Sequence, residues 1–135
     1  VKTFLFKTEP STYSFNDLVR DKRCTWDGVT NAAALIALRS CAKGDRVLIY
    51  HTGDEKQIVG EAEVTSNPRP DPKAESERFV VVDLKPLKYA NAPVTLAQIK
   101  SDKRFAEFAL VKQSRLSVMP VPDDLAAVLR RMLGI

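Results

Sequence analysis

The segment from Ile58 to Thr65 constrains the fold most. Ile58, Gly60, Ala62 and Val64 alternate with Val59, Glu61, Glu63 and Thr65. That is the period of a strand with one face buried and the other toward water. Gly60 inside such a run marks a bulge or a tight bend. Glu61 and Glu63 lie two apart on one strand face, as a solvated face and not as an acid/base pair. Thr52-Gly53-Asp54-Glu55 is a polar connection back to another strand, Arg46 to Tyr50, which the turn Lys43-Gly44-Asp45 precedes.

Other short segments follow the same scale. Thr3 to Lys7 is an apolar, β-branched and aromatic run that Pro10 ends, and Arg78 to Leu84 is another strand. An extended segment starts at Leu110-Val111 and reaches Met119. Ser14 with Asp17 has the spacing of a loose capping box for a helix through about Val19, with Phe15 and Leu18 inward. Asn31 caps a helix from Ala32 to about Cys41, in which Leu35, Ile36 and Leu38 supply burial. Thr95 with Gln98 repeats the capping-box spacing, with Leu96 and Ile99 inward, and a helical turn follows around Phe105 and Phe108. Asp123 caps a last helix whose Leu125, Val128, Leu129 and Met132 recur at helical spacing, with Arg130 and Arg131 on its wet side. Asp21 to Thr30 reads as loop, as does Asn67 to Lys73 with Pro68, Pro70 and Pro72. About five strands alternating with short helices are too few and too irregular for repeated βαβ units. The expected class is α+β, a small mixed β-barrel with short helices packed at its ends, in one domain over residues 1–135.

Bulk composition narrows the partners. The formal net charge is +4 with no basic run, which permits phosphate contacts and excludes histone-like bulk binding. Cys24, Cys41 and His51 match no compact zinc signature, so no metal and no cofactor is expected. No stretch reaches the roughly 20 apolar residues of a membrane span. The start of the sequence lacks a charged-then-apolar leader pattern. The expectation is a reduced, cytoplasmic protein, taken as a monomer.

Catalytic patterns are weak. Ser114 sits between Gln113 and Arg115 without a nucleophile elbow. His51 is the one histidine, readable as a general base or as a hydrogen-bonding pocket group. Binding patterns are stronger. Trp26-Asp27-Gly28-Val29 lies ahead of the helix start at Asn31, where unpaired N–H groups accumulate. Trp26 reads either as core or as a cleft wall, and its polar neighbours favour the wall. Lys7 and Glu9 stand where the first strand leaves the sheet. Arg39, Arg69, Lys112 and Arg115 are the candidates for phosphate contacts.

Taken in order, these stretches resemble the EVE domain, a member of the PUA-like superfamily. Phe4-Leu5-Phe6-Lys7-Thr8-Glu9-Pro10 looks like the family's first strand and its K-(S/T)-E-P signature. Tyr13-Ser14, Asp17-Leu18, Trp26-Asp27-Gly28-Val29, Asn31 and Arg39 follow, then Lys43-Gly44-Asp45, Tyr50-His51 and Ile58-Val59-Gly60-Glu61-Ala62. Pro70-Asp71-Pro72, Val82-Asp83, Pro93-Val94-Thr95-Leu96 and Leu110 to Val118 complete the series. The resemblance implies an architecture shared with YTH, PUA and ASCH modules, and a non-catalytic pocket for a modified base of DNA or RNA. In that pocket Trp26 stacks on the base and Lys7, Thr8 and Glu9 line the floor or rim. Asp27, Gly28, Val29 and Asn31 shape the covering loop. Tyr50 and His51 border the opposite side, and Gln113, Ser114 and Arg115 supply polar edge and phosphate contacts. The chain departs from the family pattern at Thr30, often Arg, at Ala32, often Tyr, and at Phe79, often Trp. Two rival classes stay open: a binding domain for a free nucleotide-like ligand, and a hydrolytic or base-processing enzyme that needs His51 close to Ser114 or a carboxylate.

Overall fold

Phe4, Leu5 and Phe6 are consecutive and all buried, which requires cover on both faces of their strand and places it inside the sheet. In the computed structural model, which describes Val1–Ile135, this strand is β1, Thr3–Thr8. It pairs in parallel with β3, Arg46–His51, and antiparallel with β7, Val118–Val121. Parallel neighbours need a long crossover. Here it carries α1 (Phe15–Asp21), β2 (Cys24–Trp26) and α2 (Ala32–Arg39). The sheet continues antiparallel through β4, Gln57–Val64, to β6, Val80–Thr95, giving the order β2-β6-β4-β3-β1-β7. A short β5, Arg69–Pro70, pairs with β6 off this path. Register shifts at Gly60 and between Glu61 and Ala62 bend the β4–β6 pair, and the sheet curls into a half-barrel.

The helices close over this sheet. Ser14 Oγ accepts from the Asp17 amide at 3.0 Å, and the Asp17 carboxylate accepts from the Ser14 amide at 2.8 Å. Thr95 and Gln98 repeat the arrangement ahead of α3, Leu96–Lys100. A 3-10 turn over Lys103–Phe105 leads to α4, Ala109–Lys112, and α5 spans Asp123–Leu133. One continuous cluster of buried side chains joins all five helices to the sheet.

Several elements differ from the sequence expectation. The sheet has seven strands, because β6 holds two short edge pieces, β2 and β5, in segments whose sequence reads as loop. Leu110 and Val111 are helical, and the last strand begins only at Val118. Ile36 is 66% exposed, since Leu35 and Leu38 already define the inner face of α2. Pro122 and not Asp123 precedes the first turn of α5, without a side-chain cap. Glu61 is 2% exposed, because α5, which packs on the neighbouring β6, brings Arg130 onto its carboxylate. Arg130 is therefore an internal partner and not a solvent-facing charge. No helix is long and apolar enough to cross a membrane.

Candidate functional site

The parallel β1–β3 pair ends at Thr8 and His51, and the chain splays there as Glu9-Pro10 turns toward α1. Crevices open at the carboxyl ends of parallel strands for this reason. A cleft of about 630 Å³ lies between the end of β1, strand β2, the loop 27–31 and the segment before β7. That volume falls within the range of small-ligand sites.

Trp26 stands in its wall, half-buried. Its ring packs on Phe6 at 5.5 Å between centroids and edge-to-face on Tyr13 at 6.5 Å. The Tyr13 hydroxyl donates to Asp21 at 3.0 Å, and the Thr8 hydroxyl donates to the Tyr13 carbonyl at 2.6 Å. The tryptophan is thus oriented from behind by groups that are themselves held, a rigid aromatic wall facing a solvent-filled space. Gly28 turns the loop at φ 74° with open space around it, so its backbone conformation is what requires glycine.

Polar groups converge on the same space. Glu9 accepts from the Ser11 amide and hydroxyl and from the Thr52 hydroxyl; the Ser11 amide chiefly holds its carboxyl below the usual value. Asn31 uses Oδ1 to cap α2 through the Ala34 amide at 3.0 Å, which leaves its side-chain NH₂ free to donate. Lys7 donates to the Ser114 carbonyl at 2.9 Å, and burial pulls its ammonium below the usual range. Arg115 and Asp27 make no side-chain ion pair or hydrogen bond within the protein and border the cleft as a free cation and a free acceptor. No three His, Cys, Asp or Glu side chains come together as metal ligands.

The cleft brings together Lys7, Thr8, Glu9, Trp26, Asp27, Gly28, Val29, Asn31 and Arg115 from the expected set. Tyr50, His51, Gln113 and Ser114 lie outside it. Tyr50 lines a separate cavity beyond Lys7, in which Ser114 also takes part, and Gln113 and Ser114 border a shallow groove with Arg115. His51 is buried. Its Nε2 accepts from the Phe15 amide at 3.0 Å, so Nδ1 carries the proton toward Glu55 at 2.9 Å. It ties α1 to β3 and presents no free nitrogen to the cleft. Among the phosphate candidates, Arg69 forks onto Asp83, Lys112 pairs with Glu107, and Arg39 donates to the Arg78 carbonyl. Thr12, Tyr13, Cys24, Thr25 and Ser117 complete the lining beyond the expected set, together with Thr30, the position where the family pattern often has Arg. Tyr13 carried a signal, an aromatic three residues after Pro10, but nothing in its spacing pointed to Trp26.

The half-barrel with a cleft at the end of its parallel pair is a PUA-like fold. A family model described as "EVE domain" matches residues 2–132, and the chain belongs to the EVE domain family. An NMR structure of Rpa0253 from Rhodopseudomonas palustris is 40% identical, with a TM-score of 0.93 over 99% of this chain and 94% of that one. The structure of a hypothetical protein from Leishmania major is 34% identical, with a TM-score of 0.91 over 99% and 95%. Human THYN1, in a complex with DNA containing 5-methylcytosine, is 21% identical, with a TM-score of 0.91 over 100% and 99%. No curated protein matches the chain.

Proposed function

We propose that this domain is a non-catalytic reader of nucleic acid that takes a modified base of DNA or RNA, flipped from its stack, into the cleft beside Trp26. The observation that carries the reading is Trp26 itself, braced by Phe6 and Tyr13 and fronting an open cleft edged by Asp27, Asn31 and Arg115. Flipping a base costs a few kcal/mol, and stacking on an aromatic ring returns about 1–3 kcal/mol. Edge hydrogen bonds supply selectivity. The free Asp27 carboxylate matches an exocyclic amine such as cytosine N4, and the Asn31 NH₂ group matches a ring or carbonyl acceptor. The human THYN1 complex makes 5-methylcytosine the first base to try. The two free cysteines, Cys24 and Cys41, fit a reducing compartment such as the cytoplasm.

The test uses Trp26, the one tryptophan, as its own probe. Short single-stranded DNA and RNA oligonucleotides carrying cytosine, 5-methylcytosine or N6-methyladenine are titrated at two salt concentrations. Saturable quenching by one modified strand, weaker at higher salt, is the expected result. Quenching by free nucleotides but by no oligonucleotide turns the reading to a small-ligand domain.

A further inference from the structure

Lys7 lines two cavities. Beyond the Trp26 cleft it borders a second one of about 300 Å³, shared with Tyr50, Thr52, Lys56, Lys100 and Ser114. Three of the lining residues are lysines, and none is Asp or Glu. Elsewhere in the protein lysines do find carboxylates: Lys85 pairs with Glu63 and Lys112 with Glu107. Lys56 and Lys100 have no such partner. Glu9 lies across Gly53 and is engaged by Ser11 and Thr52, and Glu55, beside Lys56 in the chain, is engaged by His51 and Gln57.

Tyr50 supplies a second, independent sign. It is 3% exposed, and its hydroxyl makes no hydrogen bond within the protein. No fully buried side-chain oxygen or nitrogen lacks a partner, so this hydroxyl opens into the cavity that Tyr50 lines. The Lys7 ammonium lies 5.8 Å from the Tyr50 ring centroid. A phenol hydroxyl without a protein partner and three lysines without a carboxylate share this cavity. Both features suit one kind of guest, a compact anion rich in acceptors. A phosphoryl group accepts from ammonium groups and from a phenol at once.

We propose that the Lys7–Lys56–Lys100 cavity is a phosphate subsite that holds a phosphate of the strand whose base enters the Trp26 cleft. The assignment of the strand rests on the reader function proposed above; the phosphate chemistry rests on the cavity. Lys7 is the wall common to both, so base and phosphate are held by one continuous site. The subsite supplies the phosphate contacts that Arg39, Arg69 and Lys112, each engaged within the protein, do not leave free.

The experiment pairs Lys56→Gln with Lys100→Gln and compares the variant with Lys73→Gln plus Lys88→Gln, which removes the same charge from other exposed positions. Two probes are used: a single-stranded oligonucleotide carrying 5-methylcytosine, and free 5-methyl-2′-deoxycytidine, which has no phosphate. The expected result is a loss of about tenfold in oligonucleotide affinity at low salt and a salt slope shallower by about one. Nucleoside binding stays unchanged, and the control pair shows a much smaller loss. An unchanged oligonucleotide affinity, or an equal loss in the control pair, overturns the subsite while nucleoside binding still supports the reader. If the wild-type chain binds neither probe, the reader function falls and inorganic phosphate decides. Phosphate-dependent NMR shifts at Lys7 and Tyr50 that vanish in the variant keep the cavity as a site for free phosphate. Their absence overturns it.

Discussion

At the scale of single residues, Trp26 does two jobs that substitution separates. Its inner edge packs on Phe6 and Tyr13, while the rest faces the cleft. Trp26→Ala removes both and is expected to lower affinity for the preferred oligonucleotide by about 5- to 150-fold, since stacking is worth about 1–3 kcal/mol per base. Anisotropy of a labelled oligonucleotide measures this without the lost fluorophore. Trp26→Phe retains an aromatic face and is expected to keep most of the binding; equal losses in both variants sink the stacking role. The loop around Trp26 was legible because a tryptophan, an acid, a glycine and a helix cap sit within six residues. Tyr50 and His51 were not separable from sequence, because neighbouring strand residues point to opposite faces. Tyr50 faces the lysine cavity and His51 faces α1. Lys56 and Lys100 carried no sequence signal at all: a lone lysine is ordinary surface until the fold gathers three of them.

At the scale of elements, two contacts set how α1 and α5 sit on the sheet. A methyl group at Gly60 meets the Phe15 ring at 2.6 Å, so glycine here allows close approach of α1 and not a special backbone angle. Phe15 in turn packs edge-to-face on Tyr89, which pairs with Gly60 across the β4–β6 ladder. Gly60→Ala is expected to destabilise by about 1–3 kcal/mol through overpacking. Phe15→Leu should recover part of that in the double variant. Urea denaturation of the four proteins gives the coupling, and strict additivity contradicts the contact. On the other side, Arg130→Ala leaves the Glu61 carboxylate buried without its cation, at a cost of about 3 kcal/mol. Arg130→Met with Glu61→Gln is expected to cost less than Arg130→Ala alone, since no buried charge is then unpaired. The capping boxes made α1 and α3 readable, because their hydrogen bonds are local. β2 was not readable: three residues have no stable pairing of their own, and β6 supplies it from a distance. Glu61 misled for the same reason, since alternation marks the strand but does not show that a distant helix will bring Arg130 onto its carboxylate.

At the scale of the whole molecule, titration bounds the stable pH range from both sides. Five carboxyls are held below their usual values: Glu9 and Asp17 chiefly by backbone amides, and Asp21, Asp83 and Asp102 chiefly by hydrogen bonds from Arg20, Arg69 and Arg104. Their folded values lie below the unfolded ones, so their stabilisation is present above about pH 4 and is lost as the pH falls through the folded values. Glu9 and Asp21 are exposed and Asp17, Asp83 and Asp102 half-buried, and with the effect spread over five separate surface-facing groups the acid fall is expected to be gradual. The alkaline side works through burial. Desolvation pushes the Cys41 thiol up to about 12 and raises Cys24, Tyr13 and Tyr50 as well. A raised folded value gives stability that is complete below the unfolded value, about 8.5 for cysteine and 10 for tyrosine, and is lost as the pH rises through the folded one. Lys7 has the opposite sign, because burial disfavours its charged form; its deprotonation offsets part of the alkaline loss. The thermal midpoint should then be flat from roughly pH 5 to pH 8.5 and fall on either side. The two thiols are the first of these groups to ionise in the unfolded chain. Cys41→Ala alone should make the alkaline fall shallower, with Cys24 still starting it near pH 9. Cys24→Ala with Cys41→Ala should move the onset toward pH 10, where the tyrosines take over. Melting curves from pH 3 to pH 11 decide it, and an onset that does not move in the double variant assigns the alkaline limit to groups other than the thiols.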